Sequence, residues 1–285
     1  MKISVIIPVY KDPEGLKTTL DSLNKQTTSF KDYEIVVCND GSDKEVDKVC
    51  SLFSNVKVVR TKPNKGSYGA RNEAIKVSKG EYLGFIDADI IVSKNWIERG
   101  YNSLQKYGYV GGRVDIDKGK LKTLVDYYEY LTAFNNERNM MERNFCPTAN
   151  IFIKRAIIDD LGMFDERLKS GGDVEFGNRI YDSKKYKMYY DDNLRVIHPS
   201  RGYKALVKKN IRITKGRMDL YRYYPERYKQ LSIKTFFAKL VLPFYEVLRS
   251  KRNIPFDKKI GVLVFSLYLG FVNGMNFCKV KTAKE

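Results

Sequence analysis

Hydrophobic positions in the first ninety residues come as short unbroken runs, each ending in a polar, aspartate- or glycine-bearing stretch. Ile3-Ser4-Val5-Ile6-Ile7-Pro8-Val9 has the length and β-branched content of a buried parallel strand, and Tyr33-Glu34-Ile35-Val36-Val37-Cys38, Val56-Lys57-Val58-Val59 and Tyr82-Leu83-Gly84-Phe85-Ile86 read as further strands. Between them the apolar spacing turns helical. Leu16, Leu20 and Leu23 form a stripe behind Asp12-Pro13, an N-cap followed by proline in the first turn. Ser42 and Glu45 have the spacing of a capping box for a second helix, and residues 64–72 read as a loop that becomes a third. This β-α-β-α-β-α-β order predicts an α/β domain, a mostly parallel central sheet covered by helices on both faces.

The pattern is less regular beyond residue 90. Residues 96–107 and 121–143 read as helices, and 109–114 and 149–153 as strands. Gly171-Gly172-Asp173 reads as a glycine turn opening another helix, and 188–190 and 194–198 as two short strands. From Gly202 the chain becomes basic, aromatic and helical, ending in residues 260–278, which carry no charge. That run meets the lower limit for a membrane-spanning helix. Its Ser266, Asn273 and Asn276 weaken the signal, while Gly270 and Gly274 have the spacing of closely packed membrane helices. A buried hairpin helix is the other reading.

The fourth run ends in Asp87-Ala88-Asp89. Residues i and i+2 of a strand share a face, and open α/β sheets keep ligands at the C-terminal ends of their strands. Two carboxylates there suit Mg²⁺ or Mn²⁺ holding phosphate oxygens. Spacing alone does not separate this from a strand followed by a polar turn, and Asp115-Ile116-Asp117 repeats it elsewhere.

Composition narrows the choice. The 285 residues carry a net charge of +18 and are 43% hydrophobic, enough for a large core. Between Arg201 and Lys259 stand 17 Lys and Arg against four Asp and Glu, so this segment alone carries +13. Such an excess points to an anionic partner: lipid, substrate or nucleic acid. The four cysteines lack metal or redox spacing and read as free thiols of a reducing compartment. With no secretory signal pattern at the N-terminus, the expected location is cytoplasmic, at the inner face of a membrane.

Taken in order, Ser4-Val5-Ile6-Ile7-Pro8-Val9-Tyr10, Asn39-Asp40-Gly41-Ser42, Gly66 to Asn72, Asp87-Ala88-Asp89 and Gly172-Asp173 resemble glycosyltransferase family 2 over about residues 1–200. The resemblance implies a GT-A, Rossmann-like fold, with about 1–115 binding a nucleotide-sugar and about 116–200 serving acceptor and catalysis. It implies a UDP-sugar donor, Mn²⁺ or Mg²⁺, a glycan or lipid-linked acceptor, and inversion. Pro8, Tyr10 and Asp40 would hold the base, Asp40 accepting from uracil. Lys65, Gly69, Arg71, Asp87 and Ala88 would serve ribose and phosphates. Asp89 and His198, the single histidine, would ligate metal. Asp173 would be the general base, with Glu175 as its alternate. The family usually has an acid before this Asp, where here stands Gly172.

Two other classes compete. A nucleotidyltransferase would share the acid pair but needs a glycine-rich N-terminal signature, absent between Val9 and Leu16. A nucleic-acid module would explain the charge, yet no such motif is present, so no nucleic-acid partner is expected. Processive polysaccharide synthases carry Gln-x-x-Arg-Trp; Trp96 is the single tryptophan and lies outside any such motif, so transfer of single sugars is expected.

Overall fold

In a computed structural model, which describes residues 2–29, 32–41 and 43–282, the chain gathers into two compact units. The first is Met1–Asp115 with Phe134–His198, and the second is Ile116–Ala133 with Pro199–Glu285. The segment expected to serve the acceptor is therefore divided, its first part clustering with the C-terminal helices.

The first unit is built on β1 (Ile3–Val9), β2 (Tyr33–Asp40), β3 (Val56–Thr61), β4 (Tyr82–Ile86), β5 (Ile91–Val92), β6 (Tyr109–Ile116), β7 (Asn150–Lys154) and β8 (Met188–His198). Their order in the sheet is β3-β2-β1-β4-β7-β6-β8-β5. β1 to β4 are mutually parallel, β7 runs antiparallel to β4 and to β6, and β5 runs antiparallel to β8. The early helices are α1 (Pro13–Leu23), α2 (Lys44–Cys50), α3 (Gly66–Val77) and α4 (Trp96–Leu104); α6 (Asn136–Arg143), α7 (Ala156–Leu161) and α8 (Gly172–Ser183) follow.

Strand alternation sorts the core. Ile3, Val5, Ile7 and Val9, with Tyr33, Ile35 and Val37, share one apolar cluster with Leu16, Leu20, Val46 and Trp96. Ile86 belongs to that cluster, so Phe85 faces the other way. There its ring meets Phe164, which stacks on Tyr68 of α3 and tilts against Phe176 of α8. This second layer joins α3 to α8.

Three expectations change. The 121–143 stretch is two helices, α5 (Leu124–Thr132) and α6, broken where Phe134 takes a φ of 53°. Residues 188–198 form one strand, with Asp191 buried, Asp192 and Asn193 both exposed, and regular inward alternation resuming at Leu194, Val196 and His198. Ser42 lies outside the described residues; α2 is capped by Asp43, whose Oδ1 accepts from the Glu45 N–H at 2.8 Å.

The second unit comprises α5, α9 (Tyr203–Tyr223), α10 (Ile233–Arg249) and α11 (Phe256–Thr282). Glu129 of α5 is buried and draws Lys209 and Arg201, at 3.4 and 3.6 Å. Much of the basic charge thus stays at the surface while a few cations are neutralised inside.

Candidate active site

Asp87 and Asp89 do not lie in the strand. β4 ends at Ile86, opposite Asn150, and residues 87–90 form a turn leading to β5. Strand alternation therefore does not govern the two carboxylates, and they engage different partners. Asp87 Oδ1 accepts from Arg71 Nη2 at 2.5 Å. Asp89 Oδ1 stands 3.6 Å from His198 Nε2. The latter proximity is long-range in origin: β5 pairs with β8 through Ile91–Ile197 and Val92–Val196, drawing the turn onto the end of β8. There His198 occupies an inward position against the Phe134 ring, 4.9 Å between centroids.

A separation of 3.6 Å is too long for a hydrogen bond. It fits an oxygen and a nitrogen ligand of one small divalent ion, which stand about 3–4 Å apart when each bond is about 2.1 Å. Among the described residues no group of three or more His, Cys, Asp and Glu converges. Among the described residues Asp89 and His198 could supply two ligands, and the remaining positions would then belong to phosphate oxygens and water.

Asp40, at the end of β2, is buried and fully engaged. Its Oδ1 accepts from Thr61 Oγ1 (2.5 Å) and the Lys65 N–H (2.8 Å), and its Oδ2 from Asn64 Nδ2 (2.8 Å) and the Gly66 N–H (2.9 Å). Four acceptor sites are thus filled by four protein donors. Asp40 braces the loop that opens α3, and reading uracil would require one of those donors to give way. We expect Asp40→Ala to lower stability by roughly 1–3 kcal/mol, because the Lys65 N–H loses its acceptor and the Gly66 N–H keeps only Asn64 Oδ1. An unchanged urea midpoint would refute the brace.

Lys65 and Arg71, expected on phosphate or ribose, are committed within the protein. Lys65 Nζ pairs with Glu73 at 2.6 Å, which raises the lysine pKa and lowers that of the glutamate. Arg71 is only 2% exposed, and its guanidinium fixes Asp87. Its Nε has no hydrogen-bond partner among the described residues. Gly69 matters for packing: a Cβ there would stand 2.6 Å from that of Lys65. Ala88 is buried in the main core. Pro8 lies in β1 opposite Cys38. Tyr10 follows it, 53% exposed, its ring so close over Gly41 that a Cβ there would meet it at 2.9 Å. Gly41 also has a φ of +127°, so the turn beneath this ring requires glycine twice over.

Asp173 sits one residue inside α8. The helix is capped by Gly171, with φ 87°, so Asp173 is not the N-cap. Tyr68 Oη donates to its Oδ1 at 3.1 Å, as does the Val174 N–H at 3.0 Å. Burial pushes the Asp173 pKa up, outweighing those hydrogen bonds and the nearby Arg71 charge, which pull it down. Burial likewise raises Tyr68, with the Asp173 charge adding to it, so Tyr68 stays a hydrogen-bond donor. Glu175 differs: buried, it takes both its bonds from Arg179, at 2.8 and 2.9 Å, and Arg179 in turn binds the Leu161, Gly162 and Met163 carbonyls. Through Arg179, Glu175 thus clasps the 161–163 loop.

One α3 face thus links the acids: Tyr68 reaches Asp173, Arg71 reaches Asp87, and the guanidinium lies 5.8 Å from the Tyr68 ring. Tyr68 was not singled out from sequence. Its i, i+3 spacing from Arg71, which puts the two on one helix face, was the available signal.

The profile described as Glycosyl transferase family 2 matches residues 4–162. Over 225 residues the chain is 31% identical to glycosyltransferase AglE of Haloferax volcanii, covering 77% of this chain and 74% of that protein. Over 127 residues it is 39% identical to a poly(ribitol-phosphate) beta-glucosyltransferase of Bacillus spizizenii, covering 43% of this chain and 19% of that protein. Among solved structures it resembles mannosyltransferase PcManGT from Pyrobaculum calidifontis in complex with GDP-Man and Mn²⁺, with a TM-score of 0.60, 17% identity, and coverage of 99% and 73%. It also resembles S. aureus TarS in complex with UDP-GlcNAc, with a TM-score of 0.57, 17% identity, and coverage of 100% and 91%. At such identities these two likenesses concern the fold.

Proposed function

Because this chain belongs to glycosyltransferase family 2, we propose that it moves a sugar from a UDP-sugar to a hydroxyl of a glycan or lipid-linked acceptor, with inversion at the anomeric carbon. The observation that supports this most is Asp173: a carboxylate with raised pKa, held by Tyr68, on the α3 face that also anchors Asp87. A general base works best when its pKa approaches the working pH, and burial moves Asp173 in that direction.

In this reading Asp173 accepts the acceptor proton as the acceptor oxygen bonds to the anomeric carbon. The bond from that carbon to the diphosphate breaks, and UDP leaves. Tyr68 holds the carboxylate at Oδ1. Arg71 fixes Asp87, which takes ribose hydroxyls, and the exposed Tyr10 ring over Gly41 forms the platform for the base. Asp89 and His198 would hold Mn²⁺ or Mg²⁺, which when bound offsets the charge developing on the diphosphate.

A panel of UDP- and GDP-sugars tests the donor, and NMR of the new linkage tests the stereochemistry. We expect turnover with a UDP-sugar and an inverted anomeric centre. Retention of configuration would eliminate Asp173 as a base acting on the acceptor, and exclusive use of GDP-sugars would overturn the uridine assignment.

A further inference from the structure

We propose that α10 and α11 form a hairpin whose outer face lies in the interfacial layer of an anionic membrane, parallel to its plane, without crossing it. This goes beyond the sugar-transfer reading and does not depend on it.

Helix α11 has two distinct sides. Val262, Ser266, Leu269, Asn273 and Phe277 recur at helical spacing and are buried. Ile260, Val264, Leu267, Phe271 and Met275 recur on the opposite side and are exposed, Val264 by 64% and Phe271 by 61%. Helix α10 repeats the arrangement, exposing Phe237, Val241, Tyr245 and Leu248 at i, i+4, i+8 and i+11. The two helices pack tightly: a Cβ on Gly270 would stand 1.9 Å from the Leu240 carbonyl oxygen, and one on Gly274 2.7 Å from Leu240 Cδ2. Small residues thus close the hairpin, and large apolar ones cover its outside. So many exposed large apolar side chains on adjoining helices mark an interaction surface.

Charge identifies the occupant. The ends of both helices are basic, with exposed Lys234 and Arg249 on α10 and Lys258, Lys259 and Lys279 on α11, Lys258 pairing with the exposed Asp257 at 3.3 Å. Long basic side chains at the ends of an apolar stripe can reach headgroups while the stripe enters the acyl boundary. The surrounding segment, +13 over residues 201–259, supplies the attraction to anionic lipid.

The inner side of α11 argues against a span. It packs on α9, where Asn210 Nδ2 donates to Asn273 Oδ1 at 3.0 Å, and α9 carries Lys204, Lys208, Arg212 and Lys215. A crossing α11 would either draw those charges into hydrocarbon or expose Ser266 and Asn273 to it. Lying in the plane, α11 gives lipid only its apolar side.

The test is flotation of the full-length protein on phosphatidylcholine vesicles with and without phosphatidylglycerol. We expect binding to the anionic vesicles only. Val264→Glu with Phe271→Glu should cut partition by roughly 10-fold or more, since each apolar side chain left in water forfeits its transfer energy, with no change in melting temperature. Should the double variant melt early, Phe271→Gln alone serves. In a Cys278→Ser background, Lys258→Cys and Lys279→Cys should both react with an impermeant maleimide added outside. Equal flotation of the Glu variant overturns the proposal. Protection of one cysteine until detergent is added overturns it in favour of a span. A non-floating dimer that the same variant dissociates overturns it in favour of a second copy on this face.

Discussion

Asp173→Asn should lose roughly 10²–10⁴ in turnover, the usual cost of removing a general base, while donor affinity stays near wild type. Asparagine keeps the size and can still accept from Tyr68 and the Val174 N–H, so the α3–α8 contact survives. A second readout separates chemistry from structure. The folded-state pKa of Asp173 is raised, so ionisation costs the fold stability as pH rises above the unfolded value and through the folded one. At neutral pH the Asn variant should therefore melt no lower than wild type, and its advantage should vanish in acid. The same shift predicts that wild-type kcat/KM climbs with pH through the raised Asp173 pKa, and that the Asn variant loses this limb. Glu175→Gln should behave oppositely: it loosens the Arg179 clasp and lowers stability, while the pH limb remains. A near-wild-type rate for Asp173→Asn would remove Asp173 from catalysis, and joint loss of donor affinity would assign α8 to the donor site.

Asp89→Asn should reduce both turnover and metal-dependent donor binding. A divalent ion at a diphosphate leaving group stabilises developing charge by several kcal/mol, so removing it should cost roughly 10³-fold in rate. EDTA should abolish transfer, and Mn²⁺ or Mg²⁺ should restore it. Calorimetry of the metal alone supplies a readout apart from activity: Asp89→Asn should weaken both ions, whereas His198→Asn should weaken Mn²⁺ more than Mg²⁺, since imidazole favours the softer ion. The 3.6 Å between the two side chains makes them partners in this test. Full transfer in metal-free buffer, or unchanged metal titration in both variants, would refute the pair.

Among the described residues, the regularities readable in one dimension were local ones. Near-continuous apolar runs announced β1, β2 and β4, since strands buried on both faces are mostly apolar, whereas β3 at the sheet edge is half-exposed and carries Lys57. The Asp12-Pro13 start of α1 and the glycine turn before α8 also follow from residues adjacent in the chain. The same holds for the close approach at Gly270 and Gly274, which needs only two glycines at helical spacing.

What tertiary structure decided was the partner of each charge. Asp87 and Asp89 are two residues apart, yet one is bound by Arg71 and the other faces His198, because β4 stops at Ile86 and β5 pairs with the distant β8. Glu175 and Asp173 are equally spaced acids on one helix; Arg179 claims the first, and burial beside Tyr68 sets the second. Asp40 is saturated by a loop some 25 residues downstream. Apolar burial is non-directional and shows in a sequence as periodicity. A hydrogen bond or ion pair depends on a few tenths of an ångström between groups far apart in the chain, which only the folded backbone brings together.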